Sequence, residues 1–165
     1  MHEVVPLLQA VNFGGYTKLL IPFASTSSKA IQHMFQHQGY TVTCSASSLG
    51  AEDSSSALQP GYYSKQQPQV VISSPPVSLL DVVVPLAARM CSVVACMYVP
   101  SSWLSTAHLA RQQWLQQLQQ QGRVCVVAAV PSGSRAEQHV WLLIFQSAAM
   151  YAQMLRPTAA VSPVW

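Results

Sequence analysis

Charge is what this chain has least of. Eight Lys and Arg and five Asp and Glu are spread over 165 residues, so charged side chains make up 8% of the sequence, against roughly 25% in an ordinary soluble domain. The basic residues form no run, and the net charge is +3. Phosphate binding needs clustered Lys and Arg, so electrostatics alone gives no case for a nucleic-acid partner. Long apolar runs are also missing. Val84–Val99 comes nearest, but Pro85, Arg89 and Ser92 interrupt it, and a membrane span needs about 18 unbroken residues. The first residues carry Glu3 and Pro6, with no basic segment leading into an apolar one. No signal peptide and no membrane partner are therefore expected. None of the four cysteines, Cys44, Cys91, Cys96 and Cys125, forms C-x-x-C, and three lie in strand-like apolar stretches. They are expected as small buried apolar residues in a reducing, intracellular compartment, nucleus or cytoplasm, rather than as a disulfide framework or a zinc site.

Other chemistry is excluded in the same way. No G-x-S-x-G elbow exists, and Ser132-Gly133-Ser134 falls in an expected hairpin turn, so serine hydrolysis has no support. His33 and His37 have metal-ligand spacing, but no glutamate lies between them and no third ligand is evident. Two solvated histidines on a polar helix face are expected, and no metal.

What the chain does have is half its residues apolar, enough for a real core, and a regular alternation of strand and helix patterns. A short helix is expected over Glu3–Phe13 and a strand over Lys18–Phe23. A helix over 29–38 follows, with Ala30, Ile31, Met34 and Phe35 on one face and Gly39 closing it. Tyr40–Ser45 then alternates like a strand. This is a βαβ unit. Ser47–Pro68 is expected as a loop with at most one weak element. Ser78–Met90 has a helical pattern containing Pro85, where a kink or late start is expected. Ser92–Val99 is an apolar strand. A helix over 107–121 is expected to turn Ala107, Ala110, Trp114, Leu115 and Leu118 inward and a glutamine face outward. Arg123–Val130 and His139–Phe145 are strands joined by a short turn, hence antiparallel, and the tail from Gln146 carries Pro157 and Pro163. The expected fold class is α/β: a Rossmann-like, doubly wound, mostly parallel sheet with a terminal antiparallel hairpin. It is expected as a single domain over residues 1–147, with 148–165 as a peripheral tail.

One stretch concentrates the functional signal. Gln69–Val77, Q-V-V-I-S-S-P-P-V, begins as a buried strand and stops at two prolines. Proline has no N–H to donate and holds the preceding residue extended, so Ser73 and Ser74 are held out at the strand's carboxyl end. Ligands of open α/β sheets bind at that end.

Three stretches, in order Leu19–Ser28, Gly39–Ser47 and Ser73–Val77, resemble class I S-adenosylmethionine-dependent methyltransferases, and in particular the DNA methyltransferases acting on adenine N6 or cytosine N4. Leu19–Ser28, L-L-I-P-F-A-S-T-S-S, resembles the family's cofactor loop. Gly39–Ser47, G-Y-T-V-T-C-S-A-S, resembles the next strand with its ribose-binding end. S-S-P-P-V resembles the catalytic tetrapeptide of Asn, Asp or Ser, Pro-Pro and an aromatic. V-P-S-S-W-L at Val99–Leu104, the helix with Arg111 and Trp114, and the closing H-V-W-L-L-I-F add to it. The resemblance spans roughly residues 4–147. It implies S-adenosylmethionine held by Pro22, Phe23, Ala24, Ser25, Ser27, Ser45 and Ala46. It also implies a flipped base of DNA at Ser74, Pro75, Pro76 and Val77, with the Ser74 hydroxyl and the Pro75 carbonyl accepting hydrogen bonds from the target amine. RNA or a protein glutamine is the alternative substrate, because related tetrapeptides serve those too.

The chain departs from that pattern at four points. Ser25 and Ser27 stand where the cofactor loop has glycines, and a Cβ obstructs close backbone approach. Ile21 stands where an acid is usual. Ala46 stands where a second acid would accept from the ribose hydroxyls, with Glu52 or Asp53 as possible substitutes. Val77 replaces the aromatic that stacks on the base, a contact worth about 1–3 kcal/mol. The departures define a second expectation, a non-catalytic vestige of such a domain. Val99–Trp103 has two open readings: a wall of the base pocket, or a strand end with a buried tryptophan.

Overall fold

The computed structural model describes residues 4–23, 26–44, 58–128, 138–157 and 159–164, and the side chains of 26–30 are not part of that description. The described strands are β1 (Lys18–Ile21), β2 (Thr41–Cys44), β3 (Val70–Ser73), β4 (Val94–Pro100), β5 (Val124–Ala128), β6 (His139–Phe145) and β7 (Val161–Ser162). They form one sheet in the order β2-β1-β3-β4-β6-β5-β7. β2, β1, β3 and β4 are parallel neighbours. β6 runs antiparallel between β4 and β5, and β7 closes onto the outer side of β5. This is a mixed Rossmann-like α/β sheet, parallel over its first half. β5 and β6 pair antiparallel as expected, with β6 inserted into the sheet interior; the expected turn between them, Ser132–Gln138, lies outside the described residues except for Gln138.

Helices cover both faces, as the period-2 alternation of apolar strands requires. On one face Leu20, Val71, Ala95, Met97, Val99, Val126 and Leu142 pack against helices α3 (Pro60–Gln66), α4 (Leu80–Met90), α5 (Ser101–Ser105) and α6 (Leu109–Gln120). On the other, Leu19, Val70, Ile72, Cys96, Cys125 and Leu143 pack against α1 (Val5–Ala10), α2 (Thr26–His37) and α7 (Ala148–Met154). α2 is anchored by Phe35, which lies edge-on to Phe13 and Tyr40. Gly39 ends the turn after α2 at φ +86°, a conformation that costs glycine little.

Several expected boundaries shift. α1 is shorter than the expected helix. The Ser47–Pro68 stretch carries α3, with Pro60 in its first turn and Gln67 in a left-handed conformation after its end. Tyr63 on α3 is fully buried, and its hydroxyl has no hydrogen-bond partner among the described residues. Tyr63→Phe should therefore stabilise the fold by about 1 kcal/mol, because it removes a desolvated, unpaired hydroxyl. A urea-melt midpoint that falls would contradict that environment.

α4 begins at Leu80 after a 3-10 turn over Val77–Leu79 and continues through Pro85, so the proline does not set its start. α6 starts at Leu109 behind an N-cap at His108, and its inward stripe is Arg111, Leu115 and Leu118. Ala107 and Ala110 are exposed and Trp114 is half-buried. Both histidines of α2, His33 and His37, are exposed. Residues after 147 supply α7 and the edge strand β7. The Met154 carbonyl accepts from the Asn12 N–H, and the Arg156 N–H donates to the Ala10 carbonyl.

Gln146 fastens the end of β6 to the end of α4. Its amide nitrogen donates to the Ala88 and Cys91 carbonyls. All four cysteines are free thiols, three of them buried and Cys44 half-buried. Among the described residues no helix is long and apolar enough to cross a membrane.

Candidate functional site

The sheet's order reverses between β1 and β3, since β2 lies to one side of β1 and β3 and β4 to the other. A crevice at the carboxyl ends of two such strands is the usual ligand site of open α/β sheets. Here those ends are Ile21–Pro22–Phe23 and Ser73–Ser74–Pro75–Pro76. Parallel register pairs Leu20 with Val71, so Pro22 and Ser74 leave β1 and β3 at the same end of the sheet. Register also pairs Ser73 with Met97 on β4, so Ser74 leaves β3 at the end of the sheet where Tyr98 continues β4.

The two serines differ sharply. Ser73 is 2% exposed, and its Oγ has no partner among the described residues. Ser74 is exposed, Pro75 is buried and Pro76 is exposed. Pro76 has φ −55° and ψ 142°, its carbonyl accepts from the Leu79 N–H at 2.9 Å, and the chain turns into α4. The double proline therefore converts a buried strand into a fixed rim with one outward hydroxyl, at Ser74. Val77 sits on that rim and is 64% exposed.

The β1 end is apolar. Ile21 is 2% exposed, Pro22 is buried and Phe23 half-buried. Ala24, Ser25, Ser45 and Ala46, together with Glu52 and Asp53, lie outside the described residues. Ser27 lies in α2, and its side chain is likewise outside the description. The structure thus brings Pro22 and Phe23 to the same edge as Ser74–Val77.

β4 contributes the other wall. Tyr98 stacks on His139 with ring centroids 5.0 Å apart and is tilted against Trp141 at 5.1 Å. Past β4 the chain turns into α5, with the Ser101 N–H donating to the Gln138 carbonyl at 2.7 Å. Trp103 is 7% exposed and packs in the core on the α4 side. It does not stand free beside Ser74.

Trp103 leads to a cluster that the sequence does not announce. Its Nε1–H donates to Asp81 Oδ1 at 3.1 Å, and Arg111 Nη1 donates to the same oxygen at 2.8 Å. Arg111 Nη2 donates to the Thr106 carbonyl at 2.9 Å, and the guanidinium lies 4.6 Å from the Trp103 ring centroid. Asp81 lies in the first turn of α4, where the helix dipole favours an anion, and that turn has no side-chain cap. The available signal was Arg111 itself, spaced four and seven residues before Leu115 and Leu118, so that it shares their buried stripe.

Two hollows lie away from this edge. One, about 480 Å³, lies between the end of α6, β5, α7 and β7, and is lined by Gly122, Cys125 and Tyr151 among others. Another, about 110 Å³, lies by Lys18, Thr41 and Pro68 at the start of β1 and β2. Among the described residues no group of three His, Cys, Asp or Glu could hold a metal ion.

The chain matches no model of a known protein family, and no curated protein matches it.

Proposed function

We propose that this chain is a class I methyltransferase domain that transfers a methyl group from S-adenosylmethionine to an exocyclic amine of DNA, adenine N6 or cytosine N4. The observation that carries the reading is the placement of Ser74-Pro75-Pro76 and Pro22-Phe23 at the carboxyl ends of the two strands flanking the sheet's switch point. The antiparallel β6 between β4 and β5 also supports it, as that class of fold ends in such an insertion.

The β1 end offers an apolar wall, Ile21, Pro22 and Phe23. It suits a thioether and a planar ring and presents no acceptor side chain to ribose hydroxyls. When bound, S-adenosylmethionine supplies a methyl group already activated on sulfur. What remains for the protein is to orient the amine. The exposed Ser74 Oγ and the rigidly held Pro75 carbonyl accept its two N–H bonds, which turns the nitrogen lone pair toward the methyl carbon. The N–C bond forms as the S–C bond breaks, and the surplus amine proton leaves to solvent at the open rim.

A second reading, a relic that keeps the fold without the chemistry, is favoured by buried Ile21 at an acid's usual position and by exposed, aliphatic Val77 at the stacking position. Calorimetric titration of the purified chain with S-adenosylmethionine separates the two. Saturable heat is expected under the first reading, and absence of heat at millimolar cofactor ends it. If methyl transfer is seen, Ser74→Ala should leave cofactor affinity unchanged and slow transfer about 100-fold, a typical loss for one oriented hydrogen-bonding group. Labelled cofactor offered with DNA, RNA or protein identifies the substrate, and transfer to RNA or a protein glutamine would replace DNA in the proposal.

A further inference from the structure

We infer that Arg111 and Asp81 are positioning residues: their ion pair sets the separation between the Ser74–Val77 rim and the turn that follows β4, the two walls of the proposed amine site. The inference rests on the reading that this rim receives the amine. Arg111 joins three segments. Through Asp81 it holds the start of α4, four residues after Val77. Through the stacked Trp103 and the Thr106 carbonyl it holds the segment leaving β4. Through its own N–H, accepted by His108 Nδ1 at 3.3 Å, it starts α6.

The cost of this arrangement argues for a role beyond cohesion. The Arg111 side chain is 6% exposed and that of Asp81 50%, so a guanidinium is almost wholly desolvated against a carboxylate that keeps half its water. Arg111 Nε has no partner among the described residues. For cohesion alone an apolar side chain of similar size would serve as well, since the desolvation penalty offsets most of the attraction in a buried pair. What the planar fork adds is direction: two donors at fixed angle, aimed at two different segments. In a chain with eight basic residues, one is placed where it fixes the geometry of two neighbouring strand ends.

Hydrogen exchange on the full chain tests this, comparing the wild type with Arg111→Lys and Asp81→Asn. Lysine keeps the charge but cannot span Asp81 and the Thr106 carbonyl with fixed geometry. The Leu79, Ser101 and Thr106 amides, bonded to the Pro76, Gln138 and Ser102 carbonyls, are expected to exchange about tenfold faster or more, while the amides of β3 and β6 stay within about twofold. Equal acceleration throughout would mean that Arg111 only stabilises, and no acceleration would mean that it holds nothing. Either result overturns the inference. Should Arg111→Lys not fold, Asp81→Asn, altered at a half-exposed carboxylate, carries the same readout. Where the wild type transfers methyl groups, both variants should lower kcat about tenfold or more with the cofactor KM within about twofold, and an unchanged kcat overturns the positioning role. A wild type that gives no heat with cofactor removes the proposed function instead, and the exchange pattern then decides the strut by itself.

Discussion

Trp103→Ala is expected to lower stability by about 3–5 kcal/mol, the usual cost of emptying a large aromatic site in a core. Three losses combine. The indole is 7% exposed among Leu104, Leu115 and Leu118 on the α4 face of the sheet. Its Nε1–H donates to Asp81. Its ring also underlies the Arg111 guanidinium, so truncation leaves a desolvated cation with less around it. Domains are stable by about 5–15 kcal/mol in total, so the loss is a large fraction of the whole. Trp103→Phe separates the contributions: it keeps most of the packing and loses the donated hydrogen bond, for about 1–2 kcal/mol. Urea melts of both variants provide the measurement. A Trp103→Ala cost under about 1 kcal/mol would place the indole at the surface and not in the core.

The second large effect is loss of stability in alkali. Burial pushes the Cys91 thiol up to about 11, against an ordinary 9.0, although Gln146 and backbone hydrogen bonds draw it down in part. Burial pushes Cys125 up to about 12, and Cys96, wholly buried beside both, well above its ordinary value. Each folded thiol keeps its proton at a pH where the unfolded chain has lost it. The stabilising contribution is therefore complete below pH 9 and declines as pH rises through 9–12, because the unfolded state then binds fewer protons. For Cys91 alone the gap corresponds to roughly 2–3 kcal/mol once pH passes its folded value. Tyr63, raised by burial and by the neighbouring Tyr62, acts in the same direction above pH 10, its ordinary value. Melts at pH 7, 9 and 10.5 should show a flat region and then a fall. Cys91→Ala should make the fall shallower, and a fall equally steep in that variant would assign it to other groups.

Sequence pattern carried much of this architecture, for identifiable reasons. β6 lies at the predicted His139–Phe145, because seven consecutive residues with one turn before them leave little choice of element or register. The βαβ unit of β1, α2 and β2 follows from local periodicity and a closing glycine. α3 was not readable as a strong element: it presents one deeply buried residue, Tyr63, and starts with Pro-Gly, which read alone signals a turn. The inward face of α6 differs from the one its apolar residues alone predict, because Arg111 shares it with Leu115 and Leu118. A guanidinium can occupy a buried stripe when a carboxylate and a carbonyl meet it, and those partners, Asp81 and Thr106, come from outside the helix. The site shows the same division. The Ser-Pro-Pro rim is a local consequence of proline and was visible. The strut behind it depends on contacts between residues 81, 103, 106 and 111 that no periodicity encodes.

The insertion of β6 also orders events in time. It is the strand that joins the parallel half of the sheet to β5, and all its partners precede it in the chain. A nascent chain that has emerged only as far as β5 holds β4, V-A-C-M-Y-V-P, with one unpaired apolar edge, and holds β5 with no neighbour on its inner side. Such edges recruit strands from other molecules. The middle of this sheet therefore closes only once residue 145 has been made, with the edge strand β7 still to come, and until then those two edges are open to pairing with other molecules.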